Sequence, residues 1–140
     1  MKPAGSAPRF LFGGKILVGF FLAAFAALAW AAGLNGSLSG SATQDDNHAT
    51  YAVEMKLDGL TGSVNYPSLN CGGKLEFLRM AGGAYWYREN ITYGKDRCYD
   101  GGMIGVSPAN TSELDAWNWR WEGYGVTVQG VLHGRMVIER

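Results

Sequence analysis

The stretch Tyr66–Gly102, YPSLNCGGKLEFLRMAGGAYWYRENITYGKDRCYDGG, holds both cysteines of the chain. Cys71 and Cys98 each sit in a glycine-containing loop, and the residues between them read as a β-hairpin. Lys74–Met80 places Leu75 and Phe77 on one face, while Leu78 and Met80 break the alternation. Ala81-Gly82-Gly83 supplies a tight turn. Ala84–Tyr93 then returns with Tyr85, Tyr87, Ile91 and Tyr93 in phase.

Working outward, the same period-two pattern recurs on both sides. Tyr51–Leu57 alternates Tyr51, Val53, Met55 and Leu57 against Ala52, Glu54 and Lys56, and Asp58-Gly59 turns the chain into Thr61–Tyr66. Pro67 ends that strand, because proline cannot donate to a sheet ladder. Downstream come Met103–Ser107, then Ala116–Glu122 with Trp117, Trp119 and Trp121 on one face, then Gly125–Leu132 and Arg135–Glu139. About eight short strands with closely spaced turns predict an all-β domain, a small antiparallel barrel or sandwich. If the strands run as a meander, the loops of Cys71 and Cys98 fall at one end. In an oxidising compartment two such cysteines form one bridge, which closes this domain, 51–140.

The chain has 140 residues and no formal net charge, but its charges are unevenly placed. Lys2, Arg9 and Lys15 precede the rest, so nine basic face twelve acidic side chains from Gly33 onward. No basic cluster is present to contact phosphates, which excludes nucleic-acid binding. Ile16–Ala32, ILVGFFLAAFAALAWAA, is uncharged over 17 residues, near the lower limit for a membrane-spanning helix and longer than the usual signal core of roughly 7–15 residues. Residues 1–32 are therefore expected to be a signal peptide or a signal-anchor transmembrane helix. Small-x-small sites at Ala27-Leu28-Ala29 and Ala29-Trp30-Ala31 would permit cleavage. Either outcome leaves the following residues outside the cytoplasmic membrane, periplasmic or secreted. Gly33–Thr50, rich in Gly, Ser, Asn and Asp, reads as a flexible linker that includes His48.

Glu89 shares parity with Tyr85, Tyr87, Ile91 and Tyr93, so alternation points a carboxyl group into the core. Such a group needs an ion-pair or hydrogen-bond partner, and Arg97, Arg120 or tyrosine hydroxyls could serve. A bulge turning it outward and a ligand contact in a barrel mouth are the other readings. The tryptophan row reads as core, whereas Trp86, on the opposite parity to its tyrosine neighbours, reads as an exposed aromatic. Lys95–Asp100 concentrates charge beside Cys98, and Asp96 with Asp100 is too little for a calcium loop. Candidate ligand-binding residues are thus Glu89, Trp86, Arg97 and Tyr99. Catalytic, metal-ligating and cofactor-binding residues are expected to be absent: two cysteines and two scattered histidines do not make a zinc site, and no P-loop, Rossmann or G-x-S-x-G pattern occurs.

Tyr66-Pro67-Ser68-Leu69-x-Cys71-x-Gly73-x-Leu75, followed by Glu89-x-Ile91-x-x-Gly94-x-x-x-Cys98, resembles a group of small, Gly-rich bacterial exported domains of unassigned function. The resemblance covers roughly Tyr51–Trp121. It implies a bacterial origin, a disulfide domain and no assigned enzymatic activity. The expectation is a non-enzymatic binding module of the bacterial envelope, for an envelope protein or a cell-wall or sugar ligand, contacted through the loops near the cysteines. A lipocalin-like carrier of an apolar ligand and an enzyme using Glu89 are the alternatives.

Overall fold

The computed structural model describes residues 33–138. They form nine strands: β1 (Leu34–Gln44), β2 (Thr50–Gly59), β3 (Thr61–Tyr66), β4 (Cys71–Ala81), β5 (Ala84–Tyr93), β6 (Met103–Pro108), β7 (Ala116–Gly123), β8 (Val126–His133) and β9 (Met136–Ile138). From β2 to β8 each strand pairs antiparallel with the next in sequence. β1 closes the ring by pairing with β2 on one side and β8 on the other. The domain is a closed eight-stranded antiparallel barrel, with β9 added along the first residues of β1. Closure leaves the barrel strands without an unpaired edge, which an open sandwich would retain. The export segment 1–32, with its expected apolar helix, lies outside the described residues.

The stretch 33–50 is not the expected tether. Its first part is β1, which lies in the wall of the barrel along ten paired positions of β2. Leu34, Leu38 and Ala42 are buried, with Gly36 and Gly40 between them. Gly36 adopts φ +148°, and a Cβ there would stand 2.2 Å from the Arg135 carbonyl oxygen. Close approach of the neighbouring chain thus requires glycine in a slot where a strand pattern would show a large apolar residue. His48 lies in the turn after β1, where its backbone N–H donates to the Gln44 carbonyl at 2.9 Å.

The remaining strands follow the alternation of their sequences. Val53, Met55 and Leu57, Val64 and Tyr66, Tyr85 and Tyr87, Ile104 and Val106, and Val128 and Leu132 all face the interior. Trp117, Trp119 and Trp121 complete the same core. The irregularity at Leu78 is a bulge: the β4–β5 register slips between Phe77 and Arg79, leaving one extra residue on β4. Outside, Glu54, Lys56, Lys74, Glu76, Arg88 and Arg120 are exposed. Charged walls around an apolar interior suit water on the outer face, the reverse of a lipid-facing barrel. Among the described residues no helix is long and apolar enough to cross a membrane.

Up-and-down order sorts the connections into two groups. The chain enters at Gly33, at the end that carries the β2–β3, β4–β5 and β6–β7 connections and β9. The opposite end, the mouth, carries the β1–β2, β3–β4, β5–β6 and β7–β8 connections.

Candidate functional site at the barrel mouth

Cys71, the first residue of β4, is bonded to Cys98 in the long β5–β6 loop, with Cα atoms 6.4 Å apart. The bridge ties that loop to the β3–β4 corner. Arg97 ties the same two segments: Nε donates to the Leu69 carbonyl at 2.7 Å and Nη2 to the Asn70 carbonyl at 3.3 Å. Its remaining contact is an exposed pair with Asp96. The far part of the loop is sewn to β5. Ile91 N–H donates to Asp100 Oδ1 at 2.8 Å, Glu89 N–H to the Gly102 carbonyl at 2.9 Å, and Gly101 N–H to the Glu89 carbonyl at 3.1 Å. Gly102 lies flat on the Trp121 indole, where a Cβ would come within 2.5 Å of the ring.

Glu89 lies beneath this loop and is 1% exposed. Tyr66 Oη donates to its Oε2 at 2.5 Å, and Trp121 Nε1 donates to its Oε1 at 2.8 Å. Both carboxylate oxygens are therefore hydrogen-bonded, but among the described residues no cation pairs with them: Arg97 is held at the rim, and Arg120 pairs with Glu122 outside. Burial raises the Glu89 pKa above the usual carboxylate range; the Tyr66 and Trp121 bonds oppose that shift, and the Asp100 charge adds to it. Burial and the neighbouring carboxylate likewise push the Tyr66 hydroxyl well above its ordinary value.

Glu89 forms part of the lining of a pocket of about 100 Å³, which also includes Tyr51, Tyr66, Tyr99, Trp119 and Trp121. At the rim Tyr99 stacks on Trp121, with ring centres 6.2 Å apart, and leans on Tyr124 at 4.7 Å. Tyr124 has φ +53°, an uncommon conformation for a bulky residue. Its hydroxyl donates to the Asp100 carbonyl at 2.5 Å, so the Tyr124–Gly125 turn is anchored across the mouth to the disulfide loop.

Of the residues singled out from the sequence, Glu89, Arg97 and Tyr99 line this pocket together with Cys98. Trp86 does not join them. It is half-buried on the outer wall, with its ring against Gly105 and Nε1 donating to the Ala81 carbonyl at 3.2 Å. Its opposite parity did place it on the other side of β5. Tyr66 and Trp121, the two donors to Glu89, come from 23 and 32 residues away. Their parity marks them as inward-facing, but only barrel closure brings them to one carboxylate. Gln44, at the end of β1, lines the pocket and donates no strand signal of its own; its Oε1 accepts from Tyr51 Oη at 2.7 Å. Among the described residues no cluster of three or more His, Cys, Asp and Glu side chains is placed to hold a metal ion. Comparison of the chain with protein-family models, with curated proteins and with solved structures returns no match.

Proposed function

We propose that this chain is a bacterial envelope protein, a non-enzymatic binding module held outside the cytoplasmic membrane by residues 16–32, or released after their cleavage. The observation that carries the reading is the aromatic pocket around Glu89, built at the end of the barrel opposite Gly33. A module attached through Gly33 would present that pocket away from the membrane, toward an envelope protein or a cell-wall or sugar ligand. The entry end supports the same orientation. Leu60, Met80, Leu114, Val137 and Ile138 are exposed there, and an aliphatic rim next to an apolar segment of the chain suits a lipid surface.

Two observations weigh against the alternatives. A lipocalin-like carrier of an apolar ligand needs a cavity of roughly several hundred Å³, whereas the pocket walled by Tyr51, Tyr66, Trp119 and Trp121 has about 100 Å³. Acid–base catalysis needs a second titratable group in hydrogen-bond reach; the side chains bonded to Glu89 are Trp121 and Tyr66, whose hydroxyl is pushed away from the useful range, while Asp100, whose charge acts on Glu89, is engaged by the Ile91 N–H.

The test is chemical crosslinking of the tagged full-length protein in its native envelope, with a Cys71→Ser/Cys98→Ser variant as control. A specific protein or glycan adduct that disappears in the control is the expected result. Adducts identical in the two samples would overturn the proposal that the disulfide-held mouth is the contact surface.

A further inference from the structure

We infer that the mouth pocket receives an alkylammonium group, with Glu89 as its counter-charge and the surrounding aromatic side chains as its walls. This inference rests on the reading of the mouth as a binding surface and adds the chemistry of what is bound.

The first support is the missing cation. A buried carboxylate is costly unless it is paired, and hydrogen bonds from neutral donors meet only part of that cost. Glu89 has two such donors and, among the described residues, no ion-pair partner, although Arg97 reaches the same pocket. Arg97 is instead fixed on the Leu69 and Asn70 carbonyls and beside Asp96. A ligand cation would supply what the fold withholds.

The second support is the wall. Five aromatic residues, Tyr51, Tyr66, Tyr99, Trp119 and Trp121, share the lining with one carboxylate. Aromatic rings attract cations through their negative faces, and an aromatic cage is the usual receptor for substituted ammonium groups. Size agrees with this: a dry cavity of about 150 Å³ holds benzene, so about 100 Å³ holds roughly four heavy atoms. That is an ammonium head with its first carbons.

The third support is the field around the mouth. Its connecting loops carry Asp45, Asp46, Asp96 and Asp100 against Lys95 and Arg97. With Glu89 the excess is acidic, which raises the local concentration of cations and disfavours anionic ligands.

The test uses the full-length protein in a polyoxyethylene detergent, which has no ammonium group. Choline and its neutral isostere 3,3-dimethyl-1-butanol are titrated separately and followed by tryptophan fluorescence, with Glu89→Gln as the variant. Choline should bind at least about tenfold more tightly than the isostere, and Glu89→Gln should remove the difference. If Glu89→Gln does not fold, the comparison of the two ligands on the wild-type protein decides alone. Equal binding of both, or binding of neither, overturns the inference; the binding-module reading would still stand if envelope crosslinks survived. Phosphatidylcholine vesicles form a further arm: competition with choline identifies a lipid headgroup as the source, and its absence identifies a soluble ammonium compound.

Discussion

Two residues apart on β5, Tyr87 and Glu89 both bring a polar group into the same aromatic interior, and the barrel treats them differently. Tyr87 faces the entry end, packed against Phe77 with ring centres 5.4 Å apart. Its hydroxyl is buried with no hydrogen-bond partner of ordinary geometry among the described residues, although the Leu34 backbone is near enough to act on it; burial pushes its pKa up to about 12. A neutral hydroxyl can be left in that state at modest cost. Glu89 faces the mouth, where two donors, a disulfide-held loop and the carboxylate itself converge. One end is a packed plug, and the other is a polar site whose lining comes from six strands and two loops. The difference is that buried polarity is organised at the mouth and tolerated at the entry end.

The largest blow to that contrast is removal of the bridge. Cys71→Ser with Cys98→Ser should cost about 3–4 kcal/mol of stability, measured by guanidinium denaturation. Hydrogen exchange should accelerate in 94–102 while the Gly82–Gly83 hairpin at the entry end changes little. Uniform acceleration would mean that the two ends are not separable. Next, Glu89→Leu should cost about 2–3 kcal/mol, because it leaves Tyr66 Oη and Trp121 Nε1 as buried donors without an acceptor.

A smaller effect is the pH dependence that Glu89 imposes. Its pKa is raised on folding, so the folded state keeps the proton to higher pH than the unfolded chain. The contribution of Glu89 to stability is therefore greatest below the ordinary glutamate range and declines as pH rises to the raised value. Denaturation midpoints across that range should show the decline in the wild-type protein and its loss in Glu89→Gln. The smallest expected change comes from Tyr87→Phe, which deletes a hydroxyl whose one hydrogen-bond neighbour among the described residues, the Leu34 backbone, engages it poorly, and should leave stability unchanged or raise it by up to about 1 kcal/mol. A loss larger than that would show that Tyr87 is as organised as Glu89.

How much of this was legible in the sequence depends on which physical signal each part carries. β2, β3, β5 and β7 alternate inward and outward residues, and the break at Leu78 reports the bulge in β4. The inward parity of Glu89 is equally plain. β1 hid because glycines occupy Gly36 and Gly40, so its apolar residues recur every fourth position among serines, which is the composition of a linker. Without β1 the sheet has two open edges, and barrel cannot be told from sandwich. The site was half legible for a related reason. Glu89, Arg97, Tyr99 and both cysteines lie within one continuous stretch, whereas Tyr66 and Trp121 meet Glu89 only through ring closure. The parity of Trp86 sets it on the outer face of β5, and parity does not say which end of the barrel a residue serves.

The most direct test of the division between the two ends is site-specific photo-crosslinking in the native envelope. A photoreactive residue would replace exposed Tyr99 at the mouth or Leu114, 93% exposed, at the entry end. The expected result is lipid adducts from position 114 and a discrete protein or glycan adduct from position 99. Lipid adducts from position 99, with the discrete adduct at position 114, would show that the barrel stands the other way up and that its functional face is not the Glu89 mouth.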